Sequence, residues 1–178
     1  IPIVTKDLLR SAPLTERSRT MRGAKAANTG GTSGSPLAFY VEPGSNGREW
    51  AYIHTIWRKL GFDFRDDRCT FRGANLGEQA GRYDPRENQF IINTYRPPAE
   101  QADAVLAIAR THTIRYLHGY PSAISFFARA CMSGNHPVRD VLKKNLRGVF
   151  LGSEYPAPMY RTVIEDAFGA PTISWYGH

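Results

Sequence analysis

The chain has 178 residues, enough to bury one core of its own, and its 42% hydrophobic and 22% charged residues are ordinary for a folded domain. No run approaches the roughly 18 apolar residues of a membrane helix, and the start, Ile1 to Lys6, has no apolar core of signal-peptide length. The net charge of +7 raises nucleic-acid binding, but the basic residues are dispersed, with a lean towards Arg10, Arg17, Arg19, Arg22 and Lys25. They form no finger spacing, RNA-recognition motif or basic heptads, so the charge suits a small anion better and nucleic acid is not expected as a partner. Cys69 and Cys131 match no metal or redox spacing and read as plain thiols in a reducing compartment, which predicts a cytoplasmic protein. No metal-ligand cluster is read from the chain. The first residue is not Met, so a fragment or a processed chain is expected.

Residues 5–22 read as a helical lead-in with Leu8, Leu9 and Leu14 apolar and Pro13 breaking it. Thr29-Gly30-Gly31-Thr32-Ser33-Gly34-Ser35-Pro36 follows, with three glycines and four hydroxyl residues in eight positions. Glycine allows close backbone approach, and successive N–H groups with Thr and Ser hydroxyls can cradle an anion such as phosphate. Composition alone also allows a flexible linker. The loop is no Walker A motif, because no lysine follows until Lys59, and no dinucleotide fingerprint, because it enters a strand. That strand is predicted over 37–41, and the runs around the loop read as a hairpin-like feature. A turn is predicted over 42–47. A helix over 48–60 follows, with Trp50, Ile53, Ile56, Trp57 and Leu60 at helical spacing and Gly61 as its stop. Its aromatics read as core, and His54 as a packed histidine.

Further on, a short strand is predicted at 69–72, a polar, turn-rich stretch at 77–87, and strands at 88–93, 114–119, 147–152 and 171–175. Helices are predicted over 98–111, 123–132, 138–144 and 156–168, with Pro121 near one start and Gly169 at one end. From residue 88 the alternation of strand and helix predicts an α/β fold with a mainly parallel sheet flanked by helices. Ligands of such sheets bind at the carboxyl ends of strands. Three tails should share that edge: Tyr120-Pro121-Ser122, Gly152-Ser153-Glu154 and Tyr176-Gly177-His178. Glu154 could accept hydrogen bonds from an amino group or ribose, or serve only as a first-turn helix carboxylate. Tyr176 could stack on a purine or be a rim aromatic.

The loop resembles the phosphate loop of adenylate-forming enzymes, the acyl- and aryl-coenzyme A ligase superfamily. That loop reads Ser/Thr, Ser/Gly, Gly, Ser/Thr, Ser/Thr, Gly, any residue, Pro, and all eight positions here fit it. The basic residue often found after the proline is replaced by Leu37. The family continues with a Gly-Ser/Ala-Glu turn and then a Tyr-Gly-x-Ser/Thr-Glu turn, and this chain resembles it in order and spacing. Gly152-Ser153-Glu154, Phe168-Gly169-Ala170-Pro171 and Tyr176-Gly177, with His118 to Ser122, look like the phenylacetate–coenzyme A ligase and capsule-biosynthesis CapK branch.

The resemblance covers most of the chain from about residue 27. It implies ATP-dependent activation of a small-molecule carboxylic acid as an acyl-adenylate, then transfer to a thiol, with ATP, Mg2+ and coenzyme A taking part. Thr29, Gly30, Gly31, Thr32, Ser33 and Gly34 would hold the phosphates; Gly152, Ser153, Glu154, Tyr176 and Gly177 would border the adenine; Tyr120 would line the acid pocket. Residues 1–26 would be the lead-in and 27–178 the nucleotide-binding core of a partial N-terminal domain, and a homodimer is compatible with it. The chain stops at the variable position of the last motif. The motif's magnesium-binding Glu and the family's mobile C-terminal domain with its lysine are therefore expected to be missing, and this piece alone to be incompetent. No catalytic residue is assigned within it. Alternatives are a non-coenzyme A acceptor, as in capsule biosynthesis, and a nucleotide-binding scaffold without turnover.

Overall fold

The structure is a computed structural model and describes residues 3–17, 22–29 and 36–175. It divides into two compact units, Ile1–Tyr52 and Ile53–His178.

In the first unit, α1 spans Lys6–Ser11. Thr5 caps it, its Oγ1 accepting the Leu8 N–H at 3.2 Å. Asp7 in the first turn and Arg10 in the last suit the helix dipole. Pro13 separates it from the single turn α2, Leu14–Arg17. The lead-in is therefore two short helices. Strand β1, Lys25–Asn28, pairs antiparallel with β2, Ala38–Val41, with Asn28 opposite Ala38. The hairpin-like reading is confirmed here, although the mostly exposed Lys25–Asn28 carries no strand pattern of its own. The hairpin's mouth is closed twice: Thr29 N–H donates to the Leu37 carbonyl, and Leu37 N–H to Thr29 Oγ1, both at 3.0 Å. The boundary between the units falls within α3, Ser45–Trp57. This helix begins earlier than the predicted 48, so Ser45 to Gly47 are helical rather than turn. A 3₁₀ turn, Arg58–Leu60, follows it and ends at Gly61, left-handed at φ 77° as a stop residue requires.

The second unit is built on a six-stranded sheet. Its strands are β3 Asp67–Ala74, β4 Gly81–Asp84, β5 Gln89–Asn93, β6 Ile114–Gly119, β7 Gly148–Leu151 and β8 Thr172–Ser174. The spatial order is β4-β5-β3-β6-β7-β8, with only the edge strand β4 antiparallel to its neighbour. Helices α4 Pro98–Ala109, α5 Pro121–Ser133, α6 Val138–Asn145 and α7 Pro158–Phe168 connect the parallel strands. α4, α5 and α7 open on a proline, whose missing N–H costs nothing in the first turn. α7 stops at Gly169, left-handed at φ 67°.

Side chains alternate across this sheet, and residues paired in register share a face. One face carries Cys69, Phe71, Phe90, Ile92, Leu117, Val149 and Leu151, which pack against α4 to α7 in one buried core. Both cysteines are buried free thiols. Burial pushes each thiol up, that of Cys131 to about 12, so neither is a reactive thiolate.

The opposite face is aromatic and polar. Register aligns Arg68 with Gln89 and Tyr116, and Thr70 with His118, itself opposite Phe150. The end of α3 packs here: Trp57 is fully buried and stacks on Phe150, centroids 4.2 Å apart and planes 2° apart. Phe62 meets Trp57 edge-on at 5.0 Å, and Tyr116 stacks on Phe150 at 4.9 Å while donating its hydroxyl proton to the Leu60 carbonyl. Arg68 is 2% exposed; it donates to Glu87 at 3.3 Å and lies over the Trp57 ring at 5.4 Å. Gln89 joins this network, donating to Glu87 at 2.8 Å and accepting the Thr70 hydroxyl at 2.7 Å. A buried cation is thus paired and ringed by polarisable groups, which offsets much of its desolvation.

Candidate functional site

The chain runs from β3 to β5 on one side and then back to β6 on the other. Strand order reverses at the β3–β6 pair, and the crevice beyond the carboxyl ends at such a reversal is where open α/β sheets bind ligands. Because β6, β7 and β8 are parallel neighbours, their ends lie on one edge, as expected from the sequence. Tyr120, Gly152, Ser153 and Glu154 come together there. Tyr176 and Gly177 lie outside the described residues, and so do Gly30, Gly31, Thr32, Ser33 and Gly34. Thr29 is described, in the first unit, at the mouth of the hairpin.

The edge is tightly laced. Tyr120 N–H donates to the Phe71 carbonyl at 3.0 Å, and Gly152 N–H to the Gly119 carbonyl at 3.1 Å, so three strand ends are joined by backbone. Gly119 has no room for a side chain: a Cβ would lie 2.1 Å from the Phe71 oxygen. Arg72 reaches across from β3 and donates to Ser153 Oγ at 3.1 Å. Ser122, in the first turn of α5, donates from Oγ at 2.7 Å and from its N–H at 3.2 Å to Glu154 Oε2. Ser153 sits at φ 64°, a left-handed conformation unusual for a serine. Gly152 is the seat of an indole ring, since a Cβ there would meet Trp175 Cζ2 at 2.7 Å. The flat group packed on Gly152 in this structure is the chain's own Trp175.

Behind this edge His118 is 2% exposed, and its Nδ1 has no hydrogen-bond partner among the described residues. Its ring meets Trp57 edge-on at 4.8 Å and Trp175 at 6.0 Å. Burial, with Arg72 and Arg68 adding repulsion, holds its pKa well below the usual 6.5, so the imidazole is neutral in the folded chain. The sign follows directly. Below about pH 6.5 the unfolded histidine takes up a proton that the folded one refuses, so stability falls as pH falls, with a slope of at most ~1.4 kcal/mol per pH unit from this residue. Urea midpoints between pH 7.5 and 5.5 should decline in the wild type and decline less in His118→Gln. Equal slopes in the two proteins would remove His118 as the cause.

Among the described residues, no group of three or more His, Cys, Asp and Glu could hold a metal. No described helix is long and apolar enough to cross a membrane. Sequence reasoning assigned nothing to Arg72 or Trp175. The alternation Arg68, Thr70, Arg72 along β3 was the available signal for Arg72; nothing local marks Trp175 as the partner of Gly152.

No protein-family model matches this sequence, and no curated protein matches it. Solved structures do. A 2-hydroxyisobutyryl-CoA ligase, in an open conformation with 2-HIB-AMP and CoA, matches 97% of this chain at TM-score 0.66 and 19% identity. A malonyl-CoA ligase with methylmalonyl-CoA and AMP matches 86% at TM-score 0.58 and 16% identity. An acyl-CoA synthetase of Brucella canis matches 83% at TM-score 0.53 and 18% identity. The chain shares their fold. It spans 42%, 32% and 26% of the lengths of these three proteins, respectively. The mixed α/β architecture with a mostly parallel sheet, read from the sequence, is therefore a fold that this chain shares with part of each of those three proteins.

Proposed function

We propose that the protein containing this chain activates a carboxylic acid with ATP and passes the acyl group to a thiol, coenzyme A in the first instance. The observation that supports this reading most is the placing of Tyr120 and the Gly152-Ser153-Glu154 turn on one carboxyl edge, in a fold shared with CoA ligases. In the first half-reaction a carboxylate oxygen attacks the α-phosphorus of ATP and pyrophosphate leaves. In the second a thiolate attacks the acyl carbon and AMP leaves. Both steps depend on positioning and on donors aimed at phosphoryl oxygens.

Under this proposal Thr29, Thr32 and Ser33, with the backbone N–H groups of Gly30, Gly31 and Gly34, hold the β- and γ-phosphates. Thr29 Oγ1 already accepts the Leu37 N–H, which leaves its own hydroxyl proton to donate. The turn at 152–154 borders the adenine, Tyr176 stacks on it beside Gly177, and Tyr120 lines the acid pocket. Magnesium enters with ATP as its complex, and no residue of this chain is assigned to it. The stretches His118 to Ser122 and Phe168 to Pro171 support the phenylacetate–CoA ligase and CapK branch as the finer assignment, with an aryl or sugar-derived acid as substrate. The nucleotide-binding core at 27–178 belongs to the same proposal, as does a cytoplasmic location, where ATP and coenzyme A are supplied.

The test is ATP–pyrophosphate exchange by the complete protein across aryl, fatty and sugar-derived acids. Exchange dependent on one acid is expected. The Thr32→Ala and Ser33→Ala variants should raise the KM for ATP by roughly tenfold each, the loss of one hydrogen bond to a charged group. Folded protein that binds ATP but exchanges with no acid would favour a scaffold without turnover, and unchanged ATP kinetics in both variants would sink the loop assignment.

A further inference from the structure

We propose that Ser122 and Glu154 are positioning residues that latch the nucleotide-side turn to the acid-side segment, the Glu154 carboxylate being committed to α5 rather than to the base. The inference rests on the adenylation reading and deepens it. The first N–H groups of a helix lack intrahelical partners, and Tyr120 at the cap of α5 supplies no side-chain acceptor. Glu154, 32 residues downstream, supplies it, accepting from both the Ser122 hydroxyl and the Ser122 N–H through one oxygen. A carboxylate at this helix end is also favoured by the helix dipole.

Every residue of the turn is thereby pinned. Gly152 is held by the Gly119 carbonyl, Ser153 by Arg72, and Glu154 by Ser122. The left-handed Ser153, at φ 64°, is a conformation that persists only where the surroundings impose it. The backbone edge of the turn, fixed in this way, is what meets the nucleotide. Ser122 lies two residues after Tyr120, so the latch also sets the distance between the acid-side residue and the turn.

The experiment uses the complete protein with Ser122→Ala, Glu154→Ala, the double variant and Glu154→Gln. Each single alanine variant should raise the KM for ATP about five- to tenfold, the loss of a charge-assisted hydrogen bond at a partly exposed site, with kcat changed less than about twofold. The double variant should cost no more than Glu154→Ala alone, because that variant already removes both bonds from Ser122, whereas Ser122→Ala removes the hydroxyl bond and keeps the N–H one. Glu154→Gln, which keeps an acceptor, should recover part of the loss. If Ser122→Ala leaves the KM for ATP unchanged while Glu154→Ala raises it, or if the two effects add, the carboxylate contacts the nucleotide directly and the latch is wrong. Amide hydrogen exchange without substrate gives an independent arm: the Ser122 N–H should lose protection in Glu154→Ala. Unchanged protection overturns the latch, whereas a wild type that neither exchanges pyrophosphate nor binds ATP overturns the adenylation reading.

Discussion

Trp57→Ala should destabilise the second unit by about 3–5 kcal/mol, the usual cost of removing a large aromatic from a core. Trp57 is 0% exposed and lies at the end of α3. Its indole is the common neighbour of Phe150, Phe62, His118 and Trp175, with centroid distances from 4.2 to 5.8 Å. The stacked pair with Phe150 would be lost outright, and the neighbours are ring systems on different elements that cannot all collapse into one cavity. Arg68 adds a second cost. Its guanidinium lies 5.4 Å from this ring, and Arg68 is 2% exposed, so without the indole a buried cation would lose its nearest aromatic face and lean more heavily on Glu87, Asp84 and Phe62. Against a typical domain stability of ~5–15 kcal/mol, such a loss is about a fifth or more of the total. Urea unfolding followed by far-UV circular dichroism measures it without depending on tryptophan emission. A loss below about 1 kcal/mol would show that the ring is not a keystone of this face.

How much of this was legible beforehand depended on where the information resides. β5, β6 and β7 are short runs with few polar breaks, such as Phe90-Ile91-Ile92 and Val149-Phe150-Leu151, and most of the helices between them begin at proline, so element type could be read locally. β4 could not. It pairs on one side only, and Arg82 and Tyr83 are exposed, so neither apolar alternation nor burial marks it. The start of α3 was hidden in the same way, because Ser45, Asn46 and Gly47 are poor helix formers whose helical state comes from context. β3 runs longer than the predicted 69–72 because Arg68, a charged residue that argues against a buried strand, is neutralised by Glu87.

At the site, the residue types were readable and their company was not. Tyr120 and Glu154 stood out as polar groups after apolar strands. That Arg72 meets Ser153 across 81 residues follows only from β3 being inserted between β5 and β6, whereas Glu154 meets Ser122 across 32 because β6 and β7 are parallel neighbours. Sequence order places β5, not β3, next before β6. Local patterns carry no trace of such an insertion, because a strand's own pattern is the same whichever neighbour it takes.

Gly119→Ala tests that insertion at its tightest point and should cost on the order of 4 kcal/mol or more, at the extreme of single substitutions. The added Cβ would lie 2.1 Å from the Phe71 oxygen, 2.7 Å from its carbonyl carbon and 3.0 Å from its Cα. All three are backbone atoms of β3, and none can rotate away as a side chain would. The Phe71 carbonyl is fixed by accepting the Tyr120 N–H, and the Gly119 carbonyl is fixed by the Gly152 N–H, so relief requires parting β3 from β6 in the middle of the sheet. Gly77→Ala is the control. Gly77 is left-handed at φ 62° with nothing within 4 Å of an added Cβ, so only backbone strain of about 1 kcal/mol is expected there. Urea unfolding of the two variants separates the effects. If Gly119→Ala were no less stable than Gly77→Ala, β3 and β6 could part at their carboxyl ends at little cost, and the edge that carries Tyr120 and the 152–154 turn would lack the rigidity that the proposed activity requires of it.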